Sequence, residues 1–282
     1  MQREDLLSIY EEDARLRPVL ARIDSRPRGT EGDVFALKGL VGSGQAVVAQ
    51  VISQHFEENQ LFILSDREKA AYFCNDLEKL SGEDPEGGTK AKRTLYYPSS
   101  YKHPYDTGNV DNANVLTRTE VLEKLRSGQK GLRVVTYPEA LSEKVINTVQ
   151  LTSMAVRIHV NENLSQDFLS EFFDQYHFRQ VEFVAAPGEY ALRGGIVDVF
   201  SFSDELPFRI EFDDDKVVSI RSFEVGTQLS VRRHESVSVV PDIQQCAPVA
   251  QRVSFLSYFG AGSPVWVEDA QSAHEALSFL NT

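Results

Sequence analysis

Two groups of residues in this 282-residue chain have types and spacing suited to chemistry. The first is Gly39-Leu40-Val41-Gly42-Ser43-Gly44-Gln45-Ala46, which keeps the G-x-x-x-x-G spacing of a phosphate-binding loop. A working loop follows its last glycine with Lys and then Ser or Thr. The lysine supplies charge to the β- and γ-phosphates, and the hydroxyl ligates magnesium. Gln45 has no charge and Ala46 has no side-chain oxygen. A charge-assisted hydrogen bond is worth about 1.5–3 kcal/mol, so its loss weakens phosphate binding roughly ten- to a hundredfold. Backbone amides and the helix dipole would still hold an anion weakly. The same string also reads as a glycine-rich turn that never held a nucleotide. Either way, the expectation is no hydrolysis and no cofactor.

The second group lies in Pro187 to Phe212, PGEYALRGGIVDVFSFSDELPFRIEF. Phe208, Ile210 and Phe212 alternate with Arg209 and Glu211, the period of a half-buried strand. The apolar side chains then face a core, and Arg209 and Glu211 stand on the outer face. Arg193 precedes Gly194-Gly195, where a sharp bend can present a guanidinium at the surface. One reading is an antiparallel meander with two solvated arginines. The other is a docking surface, since a guanidinium fork grips a carboxylate with two hydrogen bonds and tolerates partial burial. Asp213-Asp214-Asp215 reads as the turn of the next hairpin.

No catalytic constellation stands out. Asp111 with Glu120, or Asp198 with Glu211, are carboxylate pairs that nothing places around a substrate. His103, His159 and His177 lack metal-ligand spacing, and Cys74 and Cys246 form no C-x-x-C pair, so no metal is expected. Two thiols in a chain this long suit a reducing cytoplasm. The formal charge of −13 argues against the chain gripping a nucleic-acid backbone by itself. Tyr96, Tyr97, Tyr101 and Tyr105 form an aromatic loop suited either to packing on a sheet edge or to base stacking. No apolar run approaches a membrane span, and the N-terminus MQREDLLSIYEED is too acidic for a signal peptide. The chain ends directly after a helical pattern, as a piece of a longer protein would.

The elements that must position these residues follow from pattern. Residues 3–22 predict an amphipathic helix that Pro18 bends or ends. Val34–Val41 predicts an apolar strand running into the glycine loop, followed by the helix QAVVAQVISQHF. Strands at Leu61–Leu64, Leu95–Tyr97 and Leu132–Thr136 alternate with helices, one capped by Asp66, one over Asn112–Leu125 and one opened by Pro138. SGEDPEGGTK is a polar loop. That alternation argues for a parallel sheet covered by helices. After Ser153 the character changes. MAVRIHV predicts a strand, LSQDFLSEFFDQYHF a helix with Leu164, Phe168, Phe172 and Phe173 inward, and Val181–Val240 nearly all strand. SPVWVED then reads as a buried strand and AQSAHEALSFL as a helix. The expected architecture is a discontinuous α/β domain, residues 1–152 and 243–282, with a β-rich α+β domain, residues 153–242, inserted.

The strings GEYALRGGIVDVF, ELPFRIEF and VVSIRSFEVGTQLS resemble the N-terminal part of bacterial transcription-repair coupling factors and, more loosely, the excision-repair helicase UvrB. The resemblance implies a RecA-like, P-loop helicase-like α/β domain whose ATP site has degraded at Gly39, Gly42, Ser43, Gly44, Gln45 and Ala46. It also implies an inserted domain that docks UvrA, the damage-recognition ATPase. Arg193 and Arg209 match arginines implicated in that contact. The position of Asp213 can be aromatic in relatives, whereas this chain has Phe212 one residue earlier. Phe212, Asp213 and Glu211 are therefore candidates beside the two arginines. RNA polymerase and DNA are implied partners of the absent remainder. The alternative is a UvrB-like helicase fragment that retains nucleotide or DNA binding. Gln45, Ala46 and the short tyrosine loop speak against it.

Overall fold

The computed structural model describes residues 3–25, 33–83, 92–100, 112–246 and 252–280. The expected loop at 84–90 and the residues Tyr101, His103, Tyr105 and Asp111 lie outside this set. In chain order the first elements are α1 (Arg3–Glu11), α2 (Arg17–Asp24), α3 (Gly44–Ser53), β1 (Gln60–Ile63), α4 (Arg67–Ser81), β2 (Thr94–Tyr96), α5 (Asn112–Arg126), β3 (Arg133–Thr136), α6 (Pro138–Ser142) and α7 (Thr148–Met154). They are followed by β4 (Val156–His159), α8 (Gln166–Gln175), β5 (Arg179–Gln180), β6 (Glu189–Arg193), β7 (Ile196–Val199), β8 (Phe208–Asp213) and β9 (Lys216–Phe223). The last are β10 (Ser230–His234), β11 (Ser236–Val239), α9 (Ile243–Cys246), β12 (Val265–Val267) and α10 (Ala270–Leu280). The chain forms two compact units: residues 1–99, 127–143 and 254–282, and residues 100–126 and 144–253.

The first unit is built on a parallel sheet of order β12-β1-β3-β2. Its central strands β1 and β3 are buried at every position, as strands covered on both faces are, with apolar residues at Leu61–Ile63 and Val134–Val135. Leu61, Phe62, Val134 and Val135 are at most 1% exposed. Helix α3 reads GQAVVAQVIS and is buried from Ala46 to Ser53. Asp66 caps α4 by accepting from the Lys69 amide at 2.8 Å, as its sequence position predicts. Pro18 sits in the first turn of α2, so the expected single N-terminal helix is two.

Two expected strands differ. Residues 33–41 are not a strand, with Val34 97% and Val41 85% exposed. Both edges of β1 are taken, by β3 and by β12, and positive φ at Gly39 and Gly42 (81° and 55°) breaks the extended backbone. SPVWVED is a strand but not a buried one. β12 lies at the sheet edge, so Val265 and Val267 stay 55% and 42% exposed while Trp266 stacks on Phe62.

The second unit carries a six-stranded sheet of order β10-β9-β8-β7-β6-β5, antiparallel except between β5 and β6, and a two-stranded antiparallel β4–β11 pair. One sheet face packs Val197, Val199, Phe208, Ile210 and Ile220 against Leu169 and Phe173 of α8. Leu169, Phe172 and Phe173 follow helical i, i+3, i+4 spacing. Phe168, expected inward, falls off that stripe and is 46% exposed. The other sheet face has a smaller apolar cluster of Val184, Ala191, Phe200 and Phe223.

Candidate protein-docking surface

The β6–β7 hairpin closes on Gly194-Gly195, with Arg193 and Ile196 paired in register. Gly194 has φ +58°, and a Cβ on Gly195 would stand 2.9 Å from the Phe212 carbonyl oxygen. This tight turn brings Arg193 beside the β7–β8 ladder. There Asp198 lies directly opposite Arg209. The Asp198 side chain is 0% exposed, yet it receives both arginines. Arg209 donates Nε to Oδ1 at 2.8 Å and Nη2 to Oδ2 at 2.9 Å. Arg193 donates Nη2 to the same Oδ2.

Below the ion pairs lies an aromatic floor. The Arg209 guanidinium sits 4.7 Å from the centroid of buried Phe223. Arg193 sits 5.4 Å from the centroid of Phe183, which is 57% exposed. Hydrogen bonding to Asp198 raises the pKa of Arg209, against the opposing effect of burial. The side chains nonetheless stay 39% exposed at Arg193 and 20% at Arg209, where Nη1 also donates to the Gln228 carbonyl oxygen at 3.4 Å. The row continues in register from Arg209 to Arg221 and on to exposed Arg233. Glu211 pairs with Arg221 and accepts from Ser219 Oγ at 2.6 Å.

The structure thus brings together Arg193, Arg209 and Glu211 on one half-exposed sheet face. It does not bring Phe212 there. Phe212 is 8% exposed and packs in the inner core, because alternation along β8 turns it away from the arginines. Asp213 is exposed at the end of β8, and Asp214, with φ +51°, makes the turn to β9. Glu189 is buried, bound to Arg179 and to the amides of Ala185 and Ala186, which fixes a loop and leaves no free carboxylate. Asp198 and Phe183 escaped the sequence reading as parts of this surface. The signal for Asp198 was its place between Val197 and Val199, on the same strand face as its neighbour Arg209.

The glycine loop belongs to the first unit. Two of its amides are used internally: Gly44 N–H donates to Val41 O and Gln45 N–H to Gly42 O, each at 3.2 Å. Ser43 makes no side-chain cap on α3, and Ala46 is 1% exposed. Among the described residues no group of three or more His, Cys, Asp and Glu is placed to hold a metal ion. Burial pushes the Cys74 thiol up to about 12. No helix among the described residues is long and apolar enough to cross a membrane.

Residues 156–244, which include Arg193, Asp198 and Arg209, match the family described as the UvrB interaction domain. Over a longer span the chain is similar to transcription-repair-coupling factors. That of Haemophilus influenzae is 28% identical over 196 residues, covering 68% of this chain and 16% of the relative. That of Escherichia coli is 31% identical over 138 residues, covering 49% and 12%. That of Myxococcus xanthus is 28% identical over 210 residues, covering 74% and 17%. The chain therefore spans less than a fifth of the length of these relatives.

Proposed function

We propose that this chain is the docking module of a transcription-repair coupling factor and that its second unit recruits UvrA for nucleotide excision repair. One observation carries the reading. Inside the segment matched to the UvrB interaction domain, a buried carboxylate holds two partly exposed arginines on one face. Arginine and aromatic side chains dominate protein interfaces energetically, and this face offers both. RNA polymerase and DNA are engaged by other parts of the longer protein, in the cytoplasm.

In the same reading the first unit is a helicase-like, RecA-related scaffold with a degenerate phosphate loop, and it hydrolyses no ATP. Support comes from the parallel sheet, from Gln45 and Ala46 in place of the working residues, and from the internal use of the Gly44 and Gln45 amides.

The test is size-exclusion chromatography of the chain with purified UvrA. Wild type co-elutes, and Arg193→Ala, altered at a partly exposed side chain without setting a second carboxylate against Asp198, elutes separately with an unchanged circular dichroism spectrum. Unchanged co-elution removes Arg193 from the interface. Phosphate release from ATP that vanishes in a Gly44 variant would favour the UvrB-like helicase fragment instead.

A further inference from the structure

The first unit contains a cavity of about 550 Å³ beside the glycine loop and the edge strand β12. That volume is typical of small-molecule sites. Its wall carries the rings of Phe35, Phe56, Phe62, Phe73 and Trp266. Phe62 stacks on Trp266 at 5.2 Å between centroids and 13° between planes, and meets Phe73 at 5.5 Å. The Trp266 indole is pinned by its N–H, which donates to Gln60 Oε1 at 3.2 Å. Rings held this way lose little freedom when a ligand arrives.

The charged groups of the lining are already committed. Arg22 donates to Asp33 at 2.6 Å. Glu268 accepts from the Ser65 amide and hydroxyl at 2.9 and 2.8 Å and from Lys69 Nζ at 3.2 Å. Gln45 is neutral. A phosphate entering here would meet two carboxylates and a cation that is already paired. Among the lining residues Val34, Val265 and Val267 are 97%, 55% and 42% exposed, so apolar surface reaches solvent there beside the Arg22–Asp33 ion pair. We propose that this cavity binds an uncharged, planar aromatic ligand and excludes nucleotide phosphates. The site is separate from the arginine face and does not depend on the UvrA reading.

Trp266 is the chain's one tryptophan, so it reports on its own cavity. The probe is N-phenyl-1-naphthylamine, a neutral dye that accepts energy from tryptophan. The expected result is saturable dye emission on exciting Trp266, undiminished by ATP with magnesium. Phe35→Asp and Leu37→Asp, both in the lining and neither fully buried, weaken dye binding about tenfold or more. Phe183→Asp, in the other unit, leaves it unchanged. Circular dichroism confirms that each variant is folded. Absence of energy transfer, equal affinity in the lining variants and wild type, or displacement of the dye by ATP would overturn the proposal.

Discussion

Asp198 and Arg209 face each other across the β7–β8 ladder and share two hydrogen bonds of 2.8 and 2.9 Å, with the carboxylate fully buried and the guanidinium partly exposed. Orientation of the arginine is thus decided from inside the unit. Because Arg193 uses the same carboxylate, one buried residue sets two surface charges. Asp198→Asn keeps the shape but removes the charge that both arginines answer. Hydrogen bonds to charged groups contribute about 1.5–3 kcal/mol each, and the partly exposed arginines recover some hydration. The expected loss of stability is about 1–3 kcal/mol in urea unfolding. UvrA binding should weaken even though Asp198 cannot touch a partner. Full affinity in a folded variant would show that the arginines need no anchor.

The same geometry decides which change at Arg209 is informative. Arg209→Glu would set a second carboxylate against buried Asp198, so loss of binding would be confounded by loss of folding. Arg209→Lys keeps the charge but gives up the two-pronged contact and the planar stacking over Phe223. The expected outcome is a folded protein with UvrA affinity reduced about tenfold, read by titration calorimetry. A lysine variant that binds like wild type would mean that charge alone is recognised.

Phe183 is an exposed ring 5.4 Å from the Arg193 guanidinium. With Phe212 turned inward, Phe183 is an exposed apolar contact beside the charges of this face. Phe183→Ala should leave thermal stability within about 0.5 kcal/mol of wild type, as exposed substitutions usually do. It should weaken UvrA binding by more than 1 kcal/mol if the ring is covered in the complex. Equal affinity would place the interface edge short of Phe183.

Where local pattern and tertiary context agree, the chain is legible. The alternation Phe208-Arg209-Ile210-Glu211-Phe212 appears in the burial of β8, and the triple Asp makes the following turn. The β-rich character after Ser153 and the parallel sheet before it are also found. Residues 34–41 show the limit. Their composition suits a strand, but the place beside β1 is taken by β12, from more than two hundred residues later. Trp266 and the exposed valines beside it depend on the same long-range pairing. At the candidate surface the arginines could be named from the sequence. Their shared tether could not, because Asp198 meets Arg193 and Arg209 only after three strands align.

Asp204 supplies a pH test that is independent of any partner. Burial pushes its pKa up from 3.8 to about 6, with Glu120 and Glu123 of α5 adding to the rise and the Ser203 hydrogen bond and Lys124 opposing it. The folded state therefore binds this proton more tightly than the unfolded chain does. The associated stability is fully present below about pH 3.8 and is lost as pH rises through about 6. A shift of this size corresponds to at most about 3 kcal/mol. Asp204→Asn retains an acceptor for the Ser203 hydroxyl but cannot ionise. Its unfolding free energy should exceed that of wild type at pH 7.5, with the difference shrinking steadily towards pH 4. Denaturant midpoints measured across that range decide the matter: parallel pH profiles for the two proteins would show that Asp204 ionises in the fold without penalty.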